Sequence, residues 1–156
     1  MKATRFFALL LAVLGIGGCS TLEEVDTRMM AAYGVPTATY HVKGKVTDEQ
    51  GNPIPDIEVS FYGVYYGSPG TPPGVDPFNV KLKTDSKGTY LLEKLHHPYP
   101  QVRIQVEDKD GPANGGEFES GTTLVDITFN KDKRDKNPWY SGVAQVDVPK
   151  IKLKKK

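Results

Sequence analysis

The sequence predicts an all-β protein, a single antiparallel seven-stranded β-sandwich. Three observations lead there. Apolar residues alternate at period two in seven short runs, Gly and Pro punctuate the intervals, and no stretch after residue 36 carries a sustained 3.6-residue period. Alternation puts every second side chain on one face, so each run is half-buried. Several such runs without helices are satisfied by two sheets that bury their inner faces against each other.

The first run has Tyr40, Val42, Gly44 and Val46 on one parity and His41, Lys43, Lys45 and Thr47 on the other. The segment Asp48-Glu49-Gln50-Gly51-Asn52-Pro53 then turns the chain, because Gly admits positive φ and Pro fixes its own. Ile57, Val59 and Phe61 make the second strand, which continues through Tyr65 and Tyr66. Gly63 within it marks a bulge at which the inward parity switches. From Gly67 to Pro77, seven of eleven residues are Gly or Pro, a composition no hydrogen-bonded ladder can use, so an exposed loop is expected.

Phe78, Val80 and Leu82 form the third strand, and Asp85-Ser86-Lys87-Gly88 turns tightly into Tyr90, Leu92 and Leu95, the fourth. Val102, Ile104 and Val106 follow Pro98 and Pro100 as the fifth. After a Gly-rich loop from Asp108 to Gly121, Val125, Ile127 and Phe129 make the sixth and Val146, Val148, Ile151 and Leu153 the seventh.

Composition narrows the function classes. Of 156 residues, 20 are basic and 19 acidic, which leaves no charge field for nucleic acid, and 38% hydrophobic residues suffice for one core rather than two. A single Cys excludes an internal disulfide, a CxxC redox pair and a Cys-rich zinc site.

That Cys ends a signal-like segment. Lys2 and Arg5 give a positive start, Phe6 to Ile16 is an unbroken apolar run too short to span a bilayer, and Gly17-Gly18 precede Cys19. Ile16-Gly17-Gly18-Cys19 resembles the lipobox of bacterial lipoproteins. The resemblance implies cleavage before Cys19 and acylation of its thiol, with two or more acyl chains holding the protein on a membrane. Residues 1–18 are then a signal peptide, 19–36 the lipidated Cys and a tether, and 37–154 the domain. Removal of Lys2 and Arg5 leaves 18 basic against 19 acidic residues. Ser20 resembles the residue of lipoproteins sent on to the outer membrane, and Glu23-Glu24 resembles acidic signals for the cell surface. A cell-envelope, lipid-anchored location is expected, at the outer membrane on its periplasmic face or at the cell surface.

Gly44-Lys45-Val46-Thr47-Asp48 with Gly51-Asn52-Pro53-Ile54 and Val59, followed by Thr84-Asp85-Ser86-Lys87-Gly88-Thr89-Tyr90-Leu91-Leu92, resembles the carboxypeptidase regulatory-like, or transthyretin-like (prealbumin-like), domain over roughly half the chain after Cys19. The usual Gly-x-Tyr hairpin is replaced by His96-His97-Pro98-Tyr99-Pro100. Tyr33-Gly34-Val35-Pro36 leading to Tyr40-His41-Val42-Lys43-Gly44, with Asp108-Lys109-Asp110-Gly111 and Asn114-Gly115-Gly116-Glu117-Phe118, resembles the radical SAM-associated lipoproteins of Bacteroidetes. That resemblance implies an envelope protein encoded beside a radical SAM enzyme and brings no catalytic residues.

No Gly-x-Ser-x-Gly, P-loop, His-Glu-x-x-His or paired catalytic carboxylates appear, so no enzymatic activity and no cofactor are expected. His96 and His97, adjacent on or beside a strand, point to opposite faces and read as a turn-exposed pair rather than metal ligands. Asp108, Asp110, Asn114 and Glu119 are weak calcium candidates. Counted from Asp108, Glu119 is twelfth, yet positions five and six are Pro112 and Ala113, so an EF-hand fails and a solvated acidic loop is the plainer reading.

Trp139 and Tyr140, with Tyr62, Tyr65, Tyr66 and Tyr99 elsewhere, are candidates for an aromatic platform, against the alternative that Trp139 covers the core. Five lysines among the last seven residues read as a solvated tail that discourages edge pairing, with attraction to anionic lipid headgroups as the alternative. The functional expectation is a membrane-anchored lipoprotein whose non-catalytic domain binds or assembles with a protein or glycan. The alternative is a substrate or accessory of a neighbouring radical SAM enzyme.

Overall fold

A computed structural model describes residues 34–156, so the signal segment, Cys19 and most of the 19–36 tether lie outside the described residues. The described residues are all-β, with no helix, in two four-stranded sheets. The strands are β1 (Thr37–Asp48), β2 (Glu58–Tyr65), β3 (Gly74–Lys83), β4 (Thr89–His96), β5 (Gln101–Glu107), β6 (Gly121–Asp126), β7 (Tyr140–Asp147) and β8 (Ile151–Leu153).

One sheet has the order β4-β1-β7, with β8 also paired to β1; the other is β3-β2-β5-β6. The second sheet and the β1–β4 pair are antiparallel, as expected. Two expectations are corrected. The strands number eight rather than seven, because the predicted Val146–Leu153 run breaks at Val148-Pro149-Lys150, where Pro149 has no N–H to give a ladder. The fold is not wholly antiparallel either, since β7 and β8 both run parallel to β1, from Thr37 beside Tyr140 to Val46 beside Ile151.

The inner faces follow the alternation. Tyr40, Val42 and Val46 of β1, Val59 and Phe61 of β2, and Val102, Ile104 and Val106 of β5 are buried in one core. Rings bridge the two sheets: Tyr40 meets Phe78 edge-on at 5.0 Å between centroids, and Phe61 meets Tyr90 at 5.9 Å. Thr84, a buried polar residue between β3 and β4, donates its hydroxyl to the Ile54 carbonyl at 2.8 Å and accepts from the Ile57 N–H at 3.0 Å.

Both predicted tight turns form. Asp48 caps the first through its carbonyl to Gly51 N–H (3.1 Å) and its carboxylate to Asn52 N–H (2.7 Å), and Gly88 closes the second at φ +70°. The expected bulge at Gly63 is corrected: the register shift against β3 falls earlier, between Ser60 and Tyr62, and the register with β5 runs unbroken through Gly63, which lies opposite Val102. The reason for glycine there is the Tyr99 ring, which occupies the space a Cβ would need.

The expected solvated lysine tail instead forms structure. Glu119 N–H donates to the Lys154 carbonyl at 2.8 Å and Lys156 N–H to the Glu117 carbonyl at 2.9 Å, so residues 154–156 lie along the 117–119 segment. Lys155 Nζ donates to the Gly115 carbonyl (2.7 Å) and Lys156 Nζ pairs with Glu117 (2.6 Å).

Candidate functional site

A cleft of about 660 Å³ opens where β1, β4 and the β7–β8 connection meet the end of β3. Register brings its central pair together: Gly44 of β1 lies opposite Tyr90 of β4. The Tyr90 phenol fills the space over Gly44 that any side chain would take, so glycine at 44 is what lets the phenol lie across the strand.

Tyr90 is 4% exposed, and its hydroxyl is buried with no hydrogen-bond partner among the described residues. Burial pushes its pKa well above the ordinary tyrosine value, so near neutral pH it remains an O–H donor. A buried donor without an acceptor carries an uncompensated desolvation cost of about 1–3 kcal/mol.

The charged groups of this wall are unbalanced. Lys43 pairs with Asp147 at 3.0 Å, and Lys83 with Asp56 at 3.5 Å. Lys45 and Lys150, which also line the cleft, have no carboxylate within 4.0 Å among the described residues. Asp85 does not answer them, because its oxygens accept from Lys87 N–H, Thr89 N–H and the Thr89 hydroxyl at 2.6 to 2.8 Å. Those bonds, the one from the Thr89 hydroxyl foremost, hold its carboxyl below the usual carboxylate range. Leu82, Leu91 and Val148 supply apolar wall, Leu91 being 53% exposed.

The residues singled out from sequence lie elsewhere. Trp139 is 45% exposed and its indole packs over Gly34, while Tyr140 is half-buried and donates its hydroxyl to Thr39 Oγ1 at 2.8 Å. Neither lines the 660 Å³ cleft.

Asp108, a weak calcium candidate, spends its carboxylate on backbone N–H groups of Asp110, Gly111 and Phe118 at 2.9 to 3.2 Å. Asn114 donates to Asp110 and to Asp56, and Glu119 faces Lys154 at 4.0 Å. The loop is closed by its own hydrogen bonds. Among the described residues no group of three or more His, Cys, Asp or Glu side chains is placed to hold a metal ion.

His96, in β4, stacks flat on Phe78 at 4.5 Å, and His97 Nδ1 lies 3.2 Å from the Pro36 carbonyl; the two imidazoles still meet edge-on at 5.7 Å between centroids, so the expected turn-exposed pair on opposite faces is corrected. Sequence reasoning missed the Gly44–Tyr90 cleft. Its one signal was the strand-parity glycine at 44, whose cross-strand partner depends on register.

No protein-family model matches the chain, and no curated protein matches it. Solved structures similar to it include 3-chlorocatechol 1,2-dioxygenase from Rhodococcus opacus 1CP (15% identity, 76% of this chain and 60% of that one, TM-score 0.45). Catechol 1,2-dioxygenase from Pseudomonas arvilla C-1 is another (14%, 76% and 53%, TM-score 0.46), as is hydroxyquinol 1,2-dioxygenase from Pseudomonas putida DLL-E4 (10%, 78% and 57%, TM-score 0.43). The chain spans between 53% and 60% of the length of these three structures.

These neighbours correct the functional expectation taken from sequence. They are dioxygenases, not lipoprotein modules for a protein or glycan and not accessories of a radical SAM enzyme. Identities of 10 to 15% carry neither activity nor substrate to this chain.

Proposed function

We propose that the chain binds a small organic anion in the cleft between Gly44, Tyr90, Lys45 and Lys150, without turning it over. The observation that carries this is a cleft wall with two cations, Lys45 and Lys150, that have no carboxylate partner among the described residues. A carboxylate or phosphate group supplies the counter-charge the two lysines lack, and Leu82, Leu91 and Val148 take an apolar body. The volume falls in the usual range for small-molecule sites.

The test is a calorimetric titration of the full chain with octanoate and with octanol, its uncharged counterpart, at two salt concentrations. Octanoate should bind more tightly and weaken with salt, and the double variant Lys45→Gln, Lys150→Gln should reduce its affinity by roughly three- to tenfold. Equal binding of octanol, or an unchanged affinity in the double variant, would overturn the reading. Recovery of the ligand with altered mass would overturn the absence of turnover.

For the fold we infer a transthyretin-like sandwich. Its support is that the two resembling motifs form adjacent structure, the end of β1 with its turn and the Asp85–Gly88 turn into β4, tied by Val46 N–H to the Gly88 carbonyl at 2.8 Å. The Tyr33–Gly44 and Asp108–Phe118 residues support membership of the radical SAM-associated Bacteroidetes family. For location, Ile16-Gly17-Gly18-Cys19 supports acylation at Cys19 and residence in the cell envelope. Intact mass of the protein from membranes of its host, against Cys19→Ala, tests that location separately from binding.

A further inference from the structure

A second cleft, about 610 Å³, lies at the opposite end of β1 and β4, by Pro36 and His97 rather than Lys45 and Thr89. Its chemistry is the reverse of the first. Tyr65, Tyr66 and Tyr99 line it together with three prolines, His97 and Asp76, and no lysine or arginine contributes to the wall.

The tyrosines are held in different ways. Tyr65 and Tyr66 are 49% and 59% exposed, so ring surface is open to a ligand. Tyr65 is seated over Gly74, where no side chain intervenes, and the Tyr66 hydroxyl donates to Gln101. Tyr99 lies over Gly63 and donates its hydroxyl to Asp76 Oδ2. With its phenol O–H occupied, the exposed Tyr66 ring offers an incoming group π surface, while Tyr99, 8% exposed, forms the floor of the cleft. Asp76 Oδ1 has no hydrogen-bond partner among the described residues, which leaves one carboxylate oxygen available beside the rings.

Tyrosine faces carry a negative quadrupole that attracts a cation within about 6 Å of the ring centre, and a single carboxylate adds counter-charge. Proline and tyrosine walls suit the methyl or methylene groups around a nitrogen, which solvate poorly in water. We propose that this cleft binds an organic ammonium ion, of the quaternary or alkylated amine class, between Tyr65, Tyr66 and Tyr99 with Asp76 as its counter-ion. The proposal is independent of anion binding at Tyr90, which uses other residues at the other end of the sheet.

The experiment is an NMR titration of the full chain with choline and with 3,3-dimethylbutanol, which has nearly the same shape and no charge. Choline should give a saturable shift confined to residues around 65, 66, 76 and 97–99, with an affinity roughly tenfold or more above the neutral alcohol. Asp76→Asn keeps an acceptor for the Tyr99 hydroxyl while removing the charge, and Tyr66→Leu keeps apolar bulk while removing the ring. Each should weaken choline several-fold, and Tyr90→Phe should leave it unchanged. Equal binding of the alcohol, shifts centred elsewhere, or no saturation at about 100 mM choline would each overturn the proposal. An unperturbed spectrum of Asp76→Asn before ligand addition separates lost binding from lost fold.

Discussion

The hydroxyl of Tyr40 and the backbone of Tyr99 are joined by a hydrogen bond: Tyr99 N–H donates to Tyr40 Oη at 2.8 Å, and the same hydroxyl donates to the His97 carbonyl at 2.6 Å. One buried side chain of β1 thus satisfies both a donor and an acceptor of the 97–100 connection between β4 and β5. The Pro98 and Pro100 backbones have no N–H for a conventional hairpin ladder, and Tyr40 takes its place. This connection is also where the resembling family has a different hairpin, so the clamp explains how the substituted segment is held.

Tyr40→Phe should therefore cost about 1–3 kcal/mol, since it leaves a buried N–H and a carbonyl without their partner. Urea unfolding monitored by tyrosine and tryptophan fluorescence measures it. A midpoint equal to that of the parent chain would contradict the clamp.

The same phenol sets an alkaline limit. Burial raises the Tyr40 pKa from 10.0 to about 12, with the Tyr99 N–H bond opposing part of the rise. The unfolded chain then loses this proton first, so Tyr40's contribution to stability is intact below pH 10 and falls as pH rises toward about 12. The stability difference between the parent and Tyr40→Phe, followed across that window, should shrink with rising pH.

His96 acts at the other end of the scale. Burial lowers its pKa below 6.5, with Asp76 opposing that shift and His97 and Lys94 adding to it. The unfolded chain takes up the proton first as pH falls, so stability is fully present above about pH 6.5 and declines below it. His96→Phe, which can keep the stack on Phe78, should remove that part of the acid sensitivity. Identical pH profiles for the two chains between pH 4 and 7 would exclude His96 as its source.

Gly63→Ala should push the Tyr99 ring off its seat, at a cost of about 1–3 kcal/mol from overpacking. Because the same ring lines the second cleft, the substitution should also weaken choline in the NMR titration. Gly51→Ala, where no atom lies within 4 Å of the added carbon, serves as a glycine control that disturbs backbone preference at φ +93° but no ring.

Much of the fold was readable because it depends on local alternation. Val42 and Val46, or Val102, Ile104 and Val106, declare their buried face from spacing alone, and the Asp48–Gly51 and Asp85–Gly88 turns announce themselves by residue type. Parallel pairing of β1 with β7 was not readable, since it joins residues about a hundred positions apart and no local pattern encodes a partner. The two clefts were not readable for the same reason. Gly44 and Tyr90 each look ordinary within their own strands, and only the β1–β4 register sets one over the other. Tyr65, Tyr66 and Tyr99 stood out by residue type together with Trp139 and Tyr140, but that the first three share one cleft depends on how the end of β2 meets the turn that Tyr40 holds.

The double engagement of β1 has a consequence for the order in which the molecule is made. One side of β1 pairs with β4, but the other has no neighbour until residues 140 to 153 are available as β7 and β8. A chain emerging from its amino end therefore carries an open, twelve-residue strand edge for most of its synthesis. Closing that edge brings together the most distant parts of the sheet, a slow step by its loop entropy. Agents that shield an unpaired strand would matter most to this protein before its last strands arrive, and least once they have docked.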